Sequence, residues 1–428
     1  MTFYKVNDCR GEWLGKEIFM LEETIVHVAR QPIFDRNQNV FGYELLFRSQ
    51  NGSVYDGVDG DQATNSVIVN SFLLIGMQTM TNGKKAFINF TANSLKNSIP
   101  SMLPKERIAV EILEDVKPDE EIIATCKKLK QEGYLLVLDD FVFKTEYMPL
   151  IELADIIKVD FRATGLKERE KLLQYLQNYS VKLLAEKVET QEEFQDALRM
   201  GYSYFQGYFF CKPVVVSHKD LPGYKKNYIS ILAAINQPYL EFGQIETILK
   251  KDVSLSYKLL KFINSSFFGL QNKINSLRQA LALLGKKNLA KWVSLMVLRS
   301  VGEDKPGELI LNSLIRARFA EGLASAKMSK RQVADAFLMG LFSHIDVLLD
   351  RPLEEVLDGI SLGTEIKEAL LEKKYNQFTQ LYKLIQAYER GEWERSSYYA
   401  KKMGLDERII LKSYRESLIW THELFMGN

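Results

Sequence analysis

The sequence predicts a fold of two unlike parts: an α/β domain closed as a TIM-like (β/α)8 barrel, then an all-α domain. Three observations carry that expectation. The chain has 428 residues, more than one ordinary hydrophobic core sustains, so two domains are expected. Up to about residue 213, short apolar strand-like runs alternate with amphipathic helical stretches, a pattern whose commonest closed solution is a (β/α)8 barrel. After "KPVVVSHKDLPGYKK" the β-branched alternation fades, and Leu, Ala, Lys and Glu recur at helical spacing.

Taken in order, residues 1–23 show no clear period and form an N-terminal extension. The barrel is expected over 24–214, on the strands "TIVHVARQ", "VFGYELLFR", "KAFINF", "RIAVEIL", "LLVLDDF", "IIKVDF", "KLLAEKV" and "YFQGYFF". Runs as continuously apolar as Leu135 to Leu138 suit strands covered on both faces. Between the strands lie helix-like segments such as "ATNSVIVNSFLLIGMQTM" and "DEEIIATCKKLKQEG", the second closed by Gly133. A linker is expected over 215–224, where Pro222-Gly223 stands in a charged setting. The helical domain then spans 225–428, with patterns including "QIETILKK", "LSYKLLKFINSSFF", "LRQALALLGKKNLAKWVSLMVLRSV", "ADAFLMGLFSHIDVLL" and "RIILKSYRESLIWTHELF".

Composition narrows the function classes. Lys and Arg total 56 against 55 for Asp and Glu, so no global field draws in a nucleic-acid polymer or an acidic membrane. Cys9, Cys126 and Cys211 are widely spaced, odd in number and outside any metal-ligand pattern, which suits a reducing cytoplasm. No apolar run long enough to span a bilayer appears, and the N-terminus lacks a signal-peptide layout. A cytoplasmic protein is expected.

The strand ends carry the chemistry. Catalytic groups of such barrels sit at the C-terminal ends of the strands, and there this chain places Glu44, Asn89, Glu111, Asp139, Asp140, Lys158, Asp160, Glu186, Glu189 and Gln206. Adjacent carboxylates such as Asp139 and Asp140 repel and resist desolvation unless a cation or donors sit with them. Singly, each also reads as a satisfied structural group or as the N-cap of the next helix. Together, oxygen ligands without a His or Cys cluster point to Mg²⁺ or Mn²⁺, and so many carboxylates suit a pair of ions about 3.5–4 Å apart. Lys158 would orient a water or stabilise developing negative charge, or else form a structural ion pair with Asp160 or a rim carboxylate.

In order and chemistry these motifs resemble the EAL family of cyclic di-GMP phosphodiesterases across residues 24 to 213. Gln31-Pro32-Ile33 matches its "QPI", Glu44-Leu45-Leu46-Phe47-Arg48 its "EALLR", and Glu111-Ile112-Leu113-Glu114 its "EITE". Asp139-Asp140-Phe141, Lys158, Ala185-Glu186-Lys187-Val188-Glu189-Thr190 and Gln206-Gly207-Tyr208 match "DDF", the Lys of "KID", "AEGVET" and "QGY". The resemblance implies that Glu44, Asn89, Glu111 and Asp139 hold one metal ion and Asp139, Asp140 and Glu186 a second. It implies Lys158 at the attacking water, Gln206 supporting the site, Arg48 on a substrate phosphate, and Gln31 and Pro32 lining a guanine groove. Glu114 would anchor the loop after the Asp pair. Three positions depart from the pattern: Val142 replaces the Gly after "DDF" in a loop the family couples to dimerisation, Leu45 replaces Ala, and Lys187 replaces Gly.

The second domain resembles the HDOD family, relatives of HD phosphohydrolases, through "DVSLSYKLLKFINS", "SLRQALALLG" and "GLFSHID". HD enzymes need several His ligands, whereas this chain has His27, His218, His344 and His422, with Ser343-His344 where the His-Asp pair belongs. His344 with Asp346 is a weak metal hint beside the reading of a packing His, and Phe262, Phe267, Phe268 and Trp292 read as core. The resemblance therefore implies a metal-dependent phosphodiesterase opening cyclic di-GMP to pGpG, with the helical domain as a non-catalytic regulatory or output module. Implied partners are cyclic di-GMP, a protein at the helical domain and a second copy in a homodimer. The alternatives are a catalytically silent cyclic di-GMP receptor and a scaffold that has lost the nucleotide.

Overall fold

A computed structural model of the protein describes residues 26–49, 76–141, 143–209, 245, 253–264, 274, 276–301, 305–349, 351–358 and 362–426. The expected extension and linker, and most of "ATNSVIVNSFLLIGMQTM" and "QIETILKK", lie outside these residues, as do Cys9, Cys211, Val142, His218, Phe267 and Phe268.

All eight expected strands form and close one barrel in chain order. They are β1 (Val26–Asp35), β2 (Val40–Ser49), β3 (Lys85–Phe90), β4 (Ile108–Ile112), β5 (Leu135–Leu138), β6 (Ile156–Asp160), β7 (Lys182–Glu186) and β8 (Tyr204–Gln206). Helices cross over between the later strands: α1 (Met77–Thr81), α2 (Ala92–Lys96), α3 (Glu120–Glu132), α4 (Met148–Ile151), α5 (Leu166–Leu176) and α6 (Gln191–Arg199). Local chemistry sets their ends. Asp119 accepts from the Ile122 amide at 2.9 Å to start α3, and Gly133 ends it in the left-handed region at φ 93°.

The barrel departs from the all-parallel pattern at its first strand. β1 runs antiparallel to both neighbours, β2 and β8, while the other pairs are parallel. The reason is the short connection after β1. Asp35 Oδ1 accepts from the Asn37 and Asn39 amides, each at 2.9 Å, folding a tight hairpin where a parallel crossover needs a dozen or more residues.

Inside the barrel the two-residue period of the strands builds two layers. The lower layer is apolar: Ile33, Phe87, Ala109, Val137, Ile156, Leu184 and Tyr204 form one cluster. Two residues further along the same strand faces stand Gln31, Asn89, Glu111, Asp139, Lys158, Glu186 and Gln206. On β2, Gly42 stands two residues before Glu44, and a Cβ there would lie 2.6 Å from the Phe87 ring. The apolar plug thus seats the polar layer at the barrel mouth.

The C-terminal part is helical, as expected: α7 (Val253–Ile263), α8 (Leu277–Val301), α9 (Gly307–Ser325), α10 (Lys330–Leu341), α11 (Ile345–Leu349), α12 (Leu353–Asp358), α13 (Thr364–Leu370), α14 (Gln377–Glu389), α15 (Trp393–Met403) and α16 (Glu407–Met426). Two details differ from the periodicity. Gly285 at φ 65° breaks α8, and "ADAFLMGLFSHIDVLL" divides into α10 and α11 with His344 in the turn between them. Trp292 is buried beside Phe262, in line with a packing role for both.

These helices straddle the β1–β2 hairpin. On the outer face of the barrel, Tyr43 donates to Glu308 of α9 at 2.6 Å. Arg30 lies 3.8 Å from the same carboxylate, covers the Tyr43 ring and donates to the Met80 carbonyl at 2.6 Å. Around the edge, His27 of β1 meets Glu407 of α16 at 3.5 Å.

Candidate active site

The polar layer converges on one ammonium. Lys158 Nζ lies 2.7 Å from Asp139 Oδ1, 2.8 Å from Glu186 Oε1, 3.0 Å from Glu111 Oε1 and 3.5 Å from Glu44 Oε2. Lys158 and Glu111 are fully buried, Glu44 and Glu186 nearly so. Burial works against the lysine's charge, but Asp139, Glu111, Glu186 and Glu44 hold it well above its ordinary range. Burial likewise pushes the Glu111 and Glu186 carboxyls well up, opposed by Lys158 and reinforced by neighbouring carboxylates.

Amides brace the cluster. Gln206 Nε2 donates to Glu44 Oε2 at 2.6 Å and to Gln31 Oε1 at 3.0 Å, and Asn89 Nδ2 donates to Glu44 Oε1 at 3.3 Å. Gln206 is held by the next residue. Gly207 sits at φ 145°, where a Cβ would fall 2.1 Å from the Val188 carbonyl oxygen, and the Val188 amide donates to the Gln206 carbonyl at 3.0 Å.

The donor chemistry fits a hard cation. Asn89 Oδ1, Glu111 Oε2, Asp140 Oδ1, Glu186 Oε2 and Gln206 Oε1 are buried acceptors that receive no hydrogen bond from the protein. Buried acceptors in such number call for a cation or water. Asp139, Asp140 and Glu186 offer ligand oxygens within 4.8 Å of one another, the only such His, Cys, Asp or Glu group among the described residues. A cavity of about 210 Å³ opens beside the pair, lined in part by Glu114, Asp139, Asp140, Lys144 and Tyr147.

Several sequence-based expectations resolve here. Lys158 pairs with the rim carboxylates, while Asp160 is engaged elsewhere: it accepts from the Arg162 and Ala163 amides at 2.6 and 3.0 Å and pairs with Lys187. Glu189 points away to Arg162 at 3.1 Å. Glu114 is exposed, and the loop after the Asp pair is tied through its main-chain carbonyl, which accepts from Tyr147 Oη at 3.1 Å. Gln31 and Pro32 line an interdomain cleft with Tyr208 and Glu389. Arg48 stands four residues beyond Glu44 on the same strand face, above the mouth.

Lys187, which motif matching marks only as a departure, stands beside the Asp pair. It sits in the left-handed region at φ 54°, as Asp140 does at φ 38°, a conformation costly for a side chain with a Cβ. Its ammonium, paired with Asp160, lies 4.0 Å from Asp140 Oδ1.

The chain is similar to known proteins over most of its length. An EAL domain model matches residues 72–213 and an HDOD domain model residues 221–374. The uncharacterized protein YuxH of Bacillus subtilis is 38% identical over 407 residues, covering 93% of this chain and 98% of its own length. Cyclic di-GMP phosphodiesterase CdgJ of Vibrio cholerae is 34% identical over 401 residues, covering 93% of each chain. The chain belongs to the EAL–HDOD family. Among solved structures, that of the Bacillus subtilis YkuI protein, with an EAL domain, in complex with substrate c-di-GMP and calcium, is similar over 54% of this chain and 72% of its own at 18% identity, with a TM-score of 0.36. The EAL match begins at residue 72, but the EAL barrel closes only with β1 and β2, which precede it and supply Gln31, Glu44 and Arg48.

In the HDOD part, His344 is buried, with Nδ1 3.3 Å from Ser313 Oγ. An internal cation stands beside it. Arg316 is paired with Glu389 at 2.7 Å and donates to Ser343 Oγ at 3.1 Å. Burial, then the Arg316 charge, lowers the His344 pKa well below its ordinary value. Burial raises that of Asp346. A native His that stays neutral while the unfolded one protonates contributes stability present above the unfolded pKa of about 6.5 and lost as pH falls below it. From pH 7 to 5.5, denaturant titration should therefore show the parent losing stability faster than His344→Gln, by up to about 1.4 kcal/mol per pH unit. Parallel pH profiles would show that His344 titrates alike folded and unfolded.

No helix among the described residues is long and apolar enough to cross a membrane. Cys126 is buried and its thiol pushed up to about 12 by burial, which makes it inert.

Proposed function

We propose that this EAL–HDOD protein is a Mg²⁺- or Mn²⁺-dependent phosphodiesterase that hydrolyses cyclic di-GMP to pGpG, with the HDOD part as a non-catalytic module. One observation carries the reading: a barrel-mouth layer of acceptor oxygens, several without a donor, around the buried ammonium of Lys158. Family membership and the relative named a cyclic di-GMP phosphodiesterase support it. Glu44, Asn89, Glu111 and Asp139 would hold one cation and Asp139, Asp140 and Glu186 a second. Cations bound there would neutralise charge on the phosphodiester and acidify a water.

The chain's own residues supply the rest. Lys158, fixed by four carboxylates, presents its ammonium where charge builds on the phosphoryl oxygens or the attacking water. Gln206 and Asn89 keep both oxygens of Glu44 oriented. Arg48 offers a phosphate its planar donors at the rim, and Gln31 with Pro32 lines the guanine groove. A silent receptor is the second reading, favoured by the Lys187 ammonium beside Asp140. Hydrolysis should require Mg²⁺ or Mn²⁺ and fall about tenfold or more in Ca²⁺, whose longer, looser coordination suits the same oxygens but misplaces the water. Product chromatography tests this. Tight nucleotide binding without product would establish the receptor.

A further inference from the structure

We infer that the corner between α14 and α15 is a gate held shut by Arg48, so that the HDOD part and the nucleotide compete for the same guanidinium. This rests on the reading of the barrel mouth given above. The contacts follow the inner face of β2 outward from the site. Glu44 belongs to the polar layer. Two residues on, Leu46 meets Gly391, which sits at φ 68° with its missing Cβ 2.8 Å from Leu46 Cδ1. Two residues further, Arg48 Nη1 donates to the Trp393 carbonyl at 3.0 Å and to Ser397 Oγ at 2.8 Å. On β1, Gln31, the register partner of Glu44, donates to the Arg390 carbonyl at 3.3 Å. The Arg390 guanidinium covers the Tyr208 ring. The corner therefore lies along the rim on the β8–β1–β2 side and takes up donors of both Arg48 and Gln31.

The acceptors offered to Arg48 are neutral: one carbonyl and one hydroxyl. A phosphate oxygen makes a stronger, charge-assisted bond to the same group. The α9 anchorage on the outer face uses Glu308 and Tyr43, and α16 is held at the edge by Glu407 on His27. Trp393 of the corner also packs on His27, with ring centroids 6.2 Å apart, so the corner lifts by giving up that packing while the HDOD part stays attached. Linkage then requires that whatever weakens the corner tightens the nucleotide, and that the nucleotide loosens the corner.

Calorimetry with cyclic di-GMP in Ca²⁺ tests this, using full-length chains. Ser397→Ala, which removes one acceptor from a half-buried helical position, should bind about three- to tenfold tighter than the parent. Ser397→Asp, which gives Arg48 a carboxylate, should bind about tenfold weaker. Hydrogen exchange at the start of α15 should rise when the parent binds nucleotide. Equal or weaker binding by Ser397→Ala, or exchange that slows, would overturn the gate and mark the corner as a substrate-binding wall or a passive contact. Binding by Ser397→Ala alone would indicate a gate shut more firmly than inferred. No binding by either chain would sink the nucleotide reading itself, and the gate with it.

Discussion

Replacing Lys158 with Ala should lower kcat on cyclic di-GMP by about 10²–10³-fold while changing KM little, because a preorganised charge acts mainly on the transition state. The structure adds a second expectation. Without metal, Lys158 is the cation that Asp139, Glu111, Glu186 and Glu44 share, none of them farther than 3.5 Å. Removing one partner from a buried ionic cluster costs about 3–5 kcal/mol, so the metal-free variant should melt well below the parent. Mn²⁺ should restore it more than it stabilises the parent, since carboxylates freed of the ammonium bind a cation more tightly. Steady-state kinetics together with melting curves with and without Mn²⁺ test both. Turnover at the parent rate would make the lysine a bystander. A melting deficit that metal does not repair would make it structural alone.

Glu308→Ala should destabilise the whole chain by about 3–5 kcal/mol, although it lies outside the active site. Glu308, in the first turn of α9, is buried against the barrel, and its loss leaves the Arg30 guanidinium without its carboxylate and the Tyr43 hydroxyl without its acceptor. A buried charge without its partner is among the costliest single defects. Arg30→Met combined with Glu308→Leu should recover most of the loss, because an apolar pair of similar volume removes the stranded charge. Denaturant titration of the parent and the two variants decides. A Glu308→Ala chain as stable as the parent would mean that α9 does not seat on the β1–β2 hairpin in solution.

The candidate site was largely legible because it repeats a simple rule along every strand. Apolar runs ending in Asn89, Glu111, Asp139, Lys158, Glu186 and Gln206 announce polar groups on one inward face, since side chains alternate with period two. The antiparallel β1 was also within reach. The interval from Gln31 to Val40 is too short for a crossover helix, whereas the later strands and helices alternate as those of a uniform barrel do. The orientation of Asp160, Glu189 and Glu114 was not legible. A carboxylate at a strand end serves a metal, a helix start or a salt bridge equally well until its neighbours are known; these are Lys187 for Asp160, Arg162 for Glu189 and, at the main chain of Glu114, Tyr147.

The sequence by itself determined the two-part architecture, the eight strands, the helical C-terminal region and the residues of the polar layer. All of these follow from local periodicity and from which residue types tolerate burial. Only the tertiary structure decided that one ammonium balances four carboxylates, that Arg316 stands as the cation beside His344, and that α15 meets Arg48. Such pairings join residues far apart in the chain, as Tyr43 joins Glu308 across 265 positions. Neither partner carries a local mark of the other, because the free energy that selects them arises only when both are desolvated together.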